Sequence, residues 1–171
     1  MTNTERAGRR AKRTAVPDDV RSRTALRRVD YQDAFIVHTG AAGRGSAEDW
    51  IRGVFESAPA PLRSSLRLGW RVVGARLGPF PSRAHVVGWR IGENTADGIR
   101  LDVDWRIGLR ANLVLRTRPS SVTLATFVEH GGRASRIVWS ALLPVHVRTL
   151  RYLLTRAARV HDSGRPRRPR L

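Results

Sequence analysis

The chain predicts an α+β fold: a curved antiparallel sheet of about six strands, two short helices after the first strand, and a long C-terminal helix. Three observations carry this. Apolar residues recur at helical spacing from Trp50 to Val73. From residue 84 onward the period changes to two. After Pro144 the helical spacing returns.

Element by element, "DYQDAFIVH" (30–38) predicts the first strand, with Tyr31, Asp33, Phe35 and Val37 on one face and Ala34 and Ile36 on the other. The glycine-rich "TGAAGRGS" follows. Ser46 stands three residues before Asp49, close to a capping box with Asp in place of Glu. Trp50, Ile51, Val54 and Phe55 then share a helical face. Pro59 and Pro61 interrupt and favour a new helix start, whose stripe is Leu62, Leu66, Trp70 and Val73. Gly78, Pro79 and Pro81 end it.

In "IRLDVDWR", Ile99, Leu101, Val103 and Trp105 alternate with Arg100, Asp102, Asp104 and Arg106. Ile107, Leu109, Ala111, Leu113 and Leu115 continue the dry face, while Arg106, Arg110, Asn112, Arg116 and Arg118 lie opposite with Val114. "VTLATFVEH" and "RIVWSALL" read as two more strands, giving a meander with one dry and one wet face. Val147, Leu150, Leu154 and Ala157 or Ala158 form the stripe of the closing helix, predicted from Pro144. A terminal helix is the natural cover for the dry face.

Bulk composition narrows the function classes. The 171 residues are 41% hydrophobic, enough for one domain with a core. There is no cysteine, which excludes disulfides, thiolate metal sites and cysteine nucleophiles. That alone leaves the compartment open. The longest uncharged apolar stretch of the C-terminal region, Ile137 to Val147, ends at Arg148 and is shorter than the roughly 20 residues a membrane span needs. No hydrophobic segment follows Arg9 and Arg10, so no secretory signal is read and the expected location is the cytoplasm.

The formal net charge is +18, and Lys12 is the only lysine among 32 basic residues. Residues 1–28 carry a net +6 and residues 159–171 a net +4. Residues 1–28 and 161–171 therefore read as basic disordered tails flanking a domain at 29–160. The arginine bias fits either a GC-rich genome or an anionic partner.

The motif "DYQDAF", the paired helices of "EDWIRGVFESAPAPLRSSLRLGWRVVGARLG" and the stretch "VTLATFVEHGGRASRIVWSALLPVHVRTLRYLLTRAAR" together resemble the START-like (SRPBCC) superfamily. It holds polyketide cyclases, lipid-transfer domains and plant pollen allergens, and the likeness is to a bacterial branch of unknown function. It covers roughly residues 30–159 and includes a Pro-x-His, Pro144 and His146, opening the closing helix. The resemblance implies a helix-grip fold, a sheet wrapped on the C-terminal helix with an apolar cavity between. It implies no catalytic residues, because members share none.

Each chemical motif has a plain structural reading beside it. The Gly40, Gly43 and Gly45 loop lacks the lysine of a phosphate-binding loop, and Glu48 stands where a dinucleotide fingerprint needs its third glycine. A flexible turn capped by Ser46 is the expectation. Asp102, Asp104, Arg106 and Arg110 read as a solvated face with cross-strand ion pairs rather than a metal or acid–base site. His38, His85, His130, His146 and His161 show no zinc spacing, and His146 reads as a helix-start or packing residue. Trp105, Phe127 and Trp139 either line a cavity or fill the core.

The expected function is binding of an apolar or amphipathic small molecule, without a cofactor and without a metal. Leu101, Val103, Trp105, Leu113, Phe127, Trp139, Leu150 and Leu154 are the expected cavity lining. The alternatives are nucleic-acid or anionic-membrane binding through the arginine-rich ends, and a cyclase- or hydrolase-type enzyme, which ranks lowest because no base, nucleophile or metal set converges.

Overall fold

The computed structural model describes residues 10–163. The predicted α+β helix-grip-like architecture is present. Among the described residues, seven strands form one antiparallel sheet in the order β1-β2-β7-β6-β5-β4-β3. They are β1 (Lys12–Thr14), β2 (Tyr31–His38), β3 (His85–Val86), β4 (Trp89–Asn94), β5 (Gly98–Asp104), β6 (Leu109–Arg118) and β7 (Ser121–His130). Four helices join them: α1 (Asp18–Arg21), α2 (Ala47–Phe55), α3 (Ala60–Val72) and the long α4 (Arg133–Ser163). No helix among the described residues is long and apolar enough to cross a membrane.

The centre of the sheet is the hairpin of β6 and β7, ten residues each, paired from Leu109↔His130 to Arg118↔Ser121. Alternation along these strands decides the two faces. Ile99, Leu101, Val103, Leu109, Leu113 and Leu115 bury against α2 and α4 in one large core. Trp50, Ile51, Val54 and Phe55 of α2 fill its closed end, and Leu150, Leu153 and Leu154 of α4 lie across it.

The glycine-rich loop is a turn, as its composition predicts. The Ala41 N–H donates to Thr39 Oγ1 at 3.1 Å and the Arg44 N–H to the Ala41 carbonyl at 2.9 Å, so the loop spends its own donors. Gly45 sits at φ +83°, a left-handed conformation that glycine adopts without strain. Ser46 then caps α2: its hydroxyl accepts from the Asp49 N–H at 3.1 Å and the Asp49 carboxylate accepts from the Ser46 N–H at 2.8 Å. These bonds, the Ser46 backbone N–H first, hold the Asp49 carboxyl below its usual range. A carboxylate at this helix start repels phosphate. Ser46→Ala is expected to cost about 1 kcal/mol of unfolding free energy, read as a lower urea midpoint with an unchanged slope.

Three expectations are corrected. "RIVWSALL" is helix, not strand, because α4 begins at Arg133 and carries Pro144 inside it. Ser135 anchors its start: the hydroxyl donates to the Gly132 carbonyl at 2.8 Å and accepts from its N–H at 3.2 Å. Ile137 and Trp139 alternate like strand residues, but Ile137 is 69% exposed and Trp139 is buried. The inward row is Trp139, Leu143, His146 and Leu150, spaced four, three and four. A short apolar run fits either period, and the flanking helix decides. Pro144 is exposed, so its ring stays clear of the packed side.

The second correction concerns the ends. Residues 10–28 are part of the domain. β1 pairs with β2 at the sheet edge, and Ala11 and Val20 are fully buried. Arg23 pairs with Glu93 and Asp97, and Asp19 with Arg116 and Arg118. At the other end α4 runs through His161, which stacks on Trp50 with ring centroids 4.0 Å apart. The remaining tail expectations, residues 1–9 and 164–171, lie outside the described residues.

Third, the far face of the sheet is not wet throughout. Val20 seals a second, smaller cluster of Ala34, Val114, Ala125 and Phe127 there, with Val16 and Leu26 beside it. Asn112 ties the covering segment down. Its Oδ1 accepts from the Thr24 hydroxyl and the Ala25 N–H, both at 2.8 Å.

Candidate ligand cavity

The stripe of α3 predicted from Leu62, Leu66, Trp70 and Val73 packs only partly on the core, and no residue of α3 is fully buried. This loose cover leaves a cavity of about 320 Å³ between α3, α4 and the sheet. α3 contributes Leu66, Gly69, Trp70 and Val72, and α4 contributes Trp139, Leu142, Val145, His146, Thr149 and Leu150. The floor is Trp89, Trp105, Leu109, Ala111, Leu113 and Thr126 of the sheet, with Phe55 at one side. Val72 and Val145 are 78% and 62% exposed, so the helix gap has an apolar rim.

Four tryptophans wall this space. Trp70 and Trp89 meet edge to face at 5.5 Å, as do Trp89 and Trp105 at 5.8 Å. Trp139 meets Tyr31 at 5.3 Å and His146 at 4.9 Å. Such edge-to-face pairs are the favoured aromatic packing.

Of the eight residues expected to line a cavity, Trp105, Leu113, Trp139 and Leu150 do so. Leu101, Val103 and Leu154 lie in the same core but off the cavity wall. Phe127 points to the opposite face, into the cluster sealed by Val20. Strand parity explains it: Thr126, not Phe127, shares a face with Leu124 and Val128.

The cavity has one polar corner, built around His146, for which the sequence suggests only a helix-start or packing role. His146 Nε2 stands 3.0 Å from Thr126 Oγ1 and 3.7 Å from Asp33 Oδ2. The Tyr31 hydroxyl donates to Asp33 Oδ2 at 2.7 Å. Asp33 is buried, with its side chain wholly shielded from solvent. Burial pushes its carboxyl up, but the nearby His146 imidazole, then the Tyr31 and Thr126 hydroxyls, outweigh that and hold it below the usual carboxylate range. Burial, then the bond to Asp33, pushes the Tyr31 hydroxyl upward. The other oxygen, Asp33 Oδ1, has no hydrogen-bond partner among the described residues. The signal was present in the alternation of β2, which puts Asp33 on the apolar face with Phe35 and Val37. Its partner on α4 was hidden because contact across 113 residues leaves no local pattern.

Asp102 pairs with Arg90 and Arg100 and accepts from Asn112, while Asp104 lies 3.6 Å from Arg110, so the charged strand face is an ion-pair ladder. No group of three metal-ligating side chains occurs among the described residues. Arg28 is held by Asp30.

No protein-family model and no curated protein sequence matches this chain. Among solved structures, a Pseudomonas aeruginosa protein of unknown function aligns over 92% of this chain and 83% of its own, at 14% identity and a TM-score of 0.23. That overlap is too loose to carry either fold or function across.

Proposed function

We propose that this chain binds an apolar or amphipathic small molecule between the sheet and the helices α3 and α4, in the manner of START-like helix-grip proteins. One observation carries the reading: the sheet and the helices α3 and α4 enclose a tryptophan-walled space of about 320 Å³. Ligand sites commonly measure about 300–1,000 Å³ and combine apolar walls with a few polar groups. Affinity comes from removing apolar ligand surface from water, at about 25 cal/mol per Å² before ordering costs.

Gly69 offers a clean test. It lines the cavity, and a Cβ built there meets nothing within 4 Å. Gly69→Phe is expected to plug the cavity while keeping the fold, since glycine inside a helix is worth roughly 1 kcal/mol less than alanine. Titration with the neutral probe N-phenyl-1-naphthylamine, followed by its fluorescence, is expected to saturate at one molecule per chain. Gly69→Phe should weaken it at least tenfold with no fall in melting temperature. Equal binding by both proteins, or no saturation, would reject the cavity as the site.

A further inference from the structure

The large hydrophobic residues that stay exposed are not scattered. Among the described residues all but Val29 stand on α3 and α4. Single exposed apolar residues are normal, but a contiguous group marks an interface. Here they form two adjoining stripes. On α3, Leu68 and Val72 are one turn apart. On α4, Ile137, Ala141, Val145 and Tyr152 share the outward sector, opposite the buried row of Trp139, Leu150 and Leu154. Val72 and Val145 border the same gap between the two helices.

The charge of this face has one sign. α3 holds three arginines and α4 six, against a single acidic residue, Asp162, near the end of α4. Arg71, Arg148 and Arg151 are exposed and form no ion pair among the described residues. Arg148 lies within the outward stripe of α4 itself. On the far side of the sheet, by contrast, arginines are matched: Arg23 with Glu93, Arg100 with Asp102, and Arg116 with Asp19.

We propose that the α3–α4 face docks on an anionic phospholipid bilayer, with Leu68, Val72, Ile137 and Val145 at the acyl boundary and Arg71, Arg148 and Arg151 on the headgroup phosphates. A bilayer with acidic headgroups matches both features, because aliphatic side chains enter the boundary while cations stay at phosphate level. A second copy of this face would set unpaired arginines against one another. A nucleic acid matches the arginines but not the aliphatic stripes, since its bases stack on aromatic rings. Docking stands on these exposed side chains alone. With a ligand-binding cavity behind them, the same pose turns its mouth toward the acyl chains.

Sedimentation of the full chain with phosphatidylcholine vesicles, and with vesicles containing about one-third phosphatidylglycerol, tests this at roughly 0.15 M salt. Binding to the acidic vesicles is expected, and at least tenfold weaker binding to the neutral ones. The double variant Leu68→Ser/Ile137→Ser changes neither the charge nor the cavity wall. It should bind acidic vesicles at least tenfold more weakly, with an unchanged melting temperature. Arg71→Gln/Arg148→Gln should weaken the same binding at least threefold. Native-like binding by the serine variant means attachment by charge alone, as the basic ends would give, and overturns the docking face. Absence of vesicle binding overturns it as well, and a complex with short single-stranded DNA would then assign the arginines to nucleic acid. Vesicle binding by a chain that takes up no N-phenyl-1-naphthylamine supports the docking face and rejects the cavity. Probe uptake without vesicle binding does the reverse.

Discussion

Deleting residues 1–28 is expected to destabilise the domain severely, although their composition reads as a dispensable basic tail. Removal strips Val20 from the outer sheet face and bares Phe127, Val114, Ala125 and Ala34. It also deletes strand β1, the buried Ala11 and the Thr24 and Ala25 bonds to Asn112. Burying a large apolar side chain contributes about 1.5–3 kcal/mol. Losing the cover over Phe127 together with Val20 therefore costs at least about 3 kcal/mol, against a typical total of about 5–15 kcal/mol. Urea unfolding of the truncated chain should show a large drop in midpoint or no cooperative transition. An unchanged midpoint would mean that the segment only rests on the sheet. Phe127→Ala complements the deletion: it should cost about 3–5 kcal/mol and leave probe binding in the cavity unaltered, because Phe127 faces away from it.

His146→Leu is expected to lower stability by about 3 kcal/mol near neutral pH, the scale of an unmatched buried charged group. It leaves the Asp33 carboxylate with only the Tyr31 and Thr126 hydroxyls. The pH dependence carries the sign. In the native chain the Asp33 carboxyl is held below its unfolded value of about 3.9. Its stabilising contribution is therefore present above that value and is lost as pH falls through the folded one. In His146→Leu the burial penalty stays and the main compensating partner goes, so the folded value moves up. The carboxylate then destabilises the fold at neutral pH, and acid relieves it. The difference in urea midpoint between the two proteins should thus be widest near pH 7 and shrink toward pH 4. A gap that stays constant across this range would make His146 a packing residue alone. Asp33→Asn, which has no charge to bury, should remove most of the narrowing.

Local pattern made much of the fold legible. The period-two runs of β5, β6 and β7 and the helical stripes of α2 and α3 arise from burial of one face, and burial of one face is written directly in residue spacing. The Ser46 cap was legible for the same reason, since its partner is three residues away. The run "RIVWSALL" reads as a strand because six apolar residues among eight satisfy both periods.

What the sequence by itself determined, then, is the class of fold, the order of its central elements and the apolar face that each must bury. Only the tertiary structure decided that residues 10–28 belong to the domain, since a polar, arginine-rich segment becomes ordered by long-range pairs such as Arg23 with Glu93 and Thr24 with Asn112. It also decided that Phe127 turns from the cavity while Thr126 turns toward it. The joining of Asp33 to His146 likewise needed the closed fold. Hydrophobic periodicity is a local quantity. The partner of a buried charge is chosen by which elements pack together.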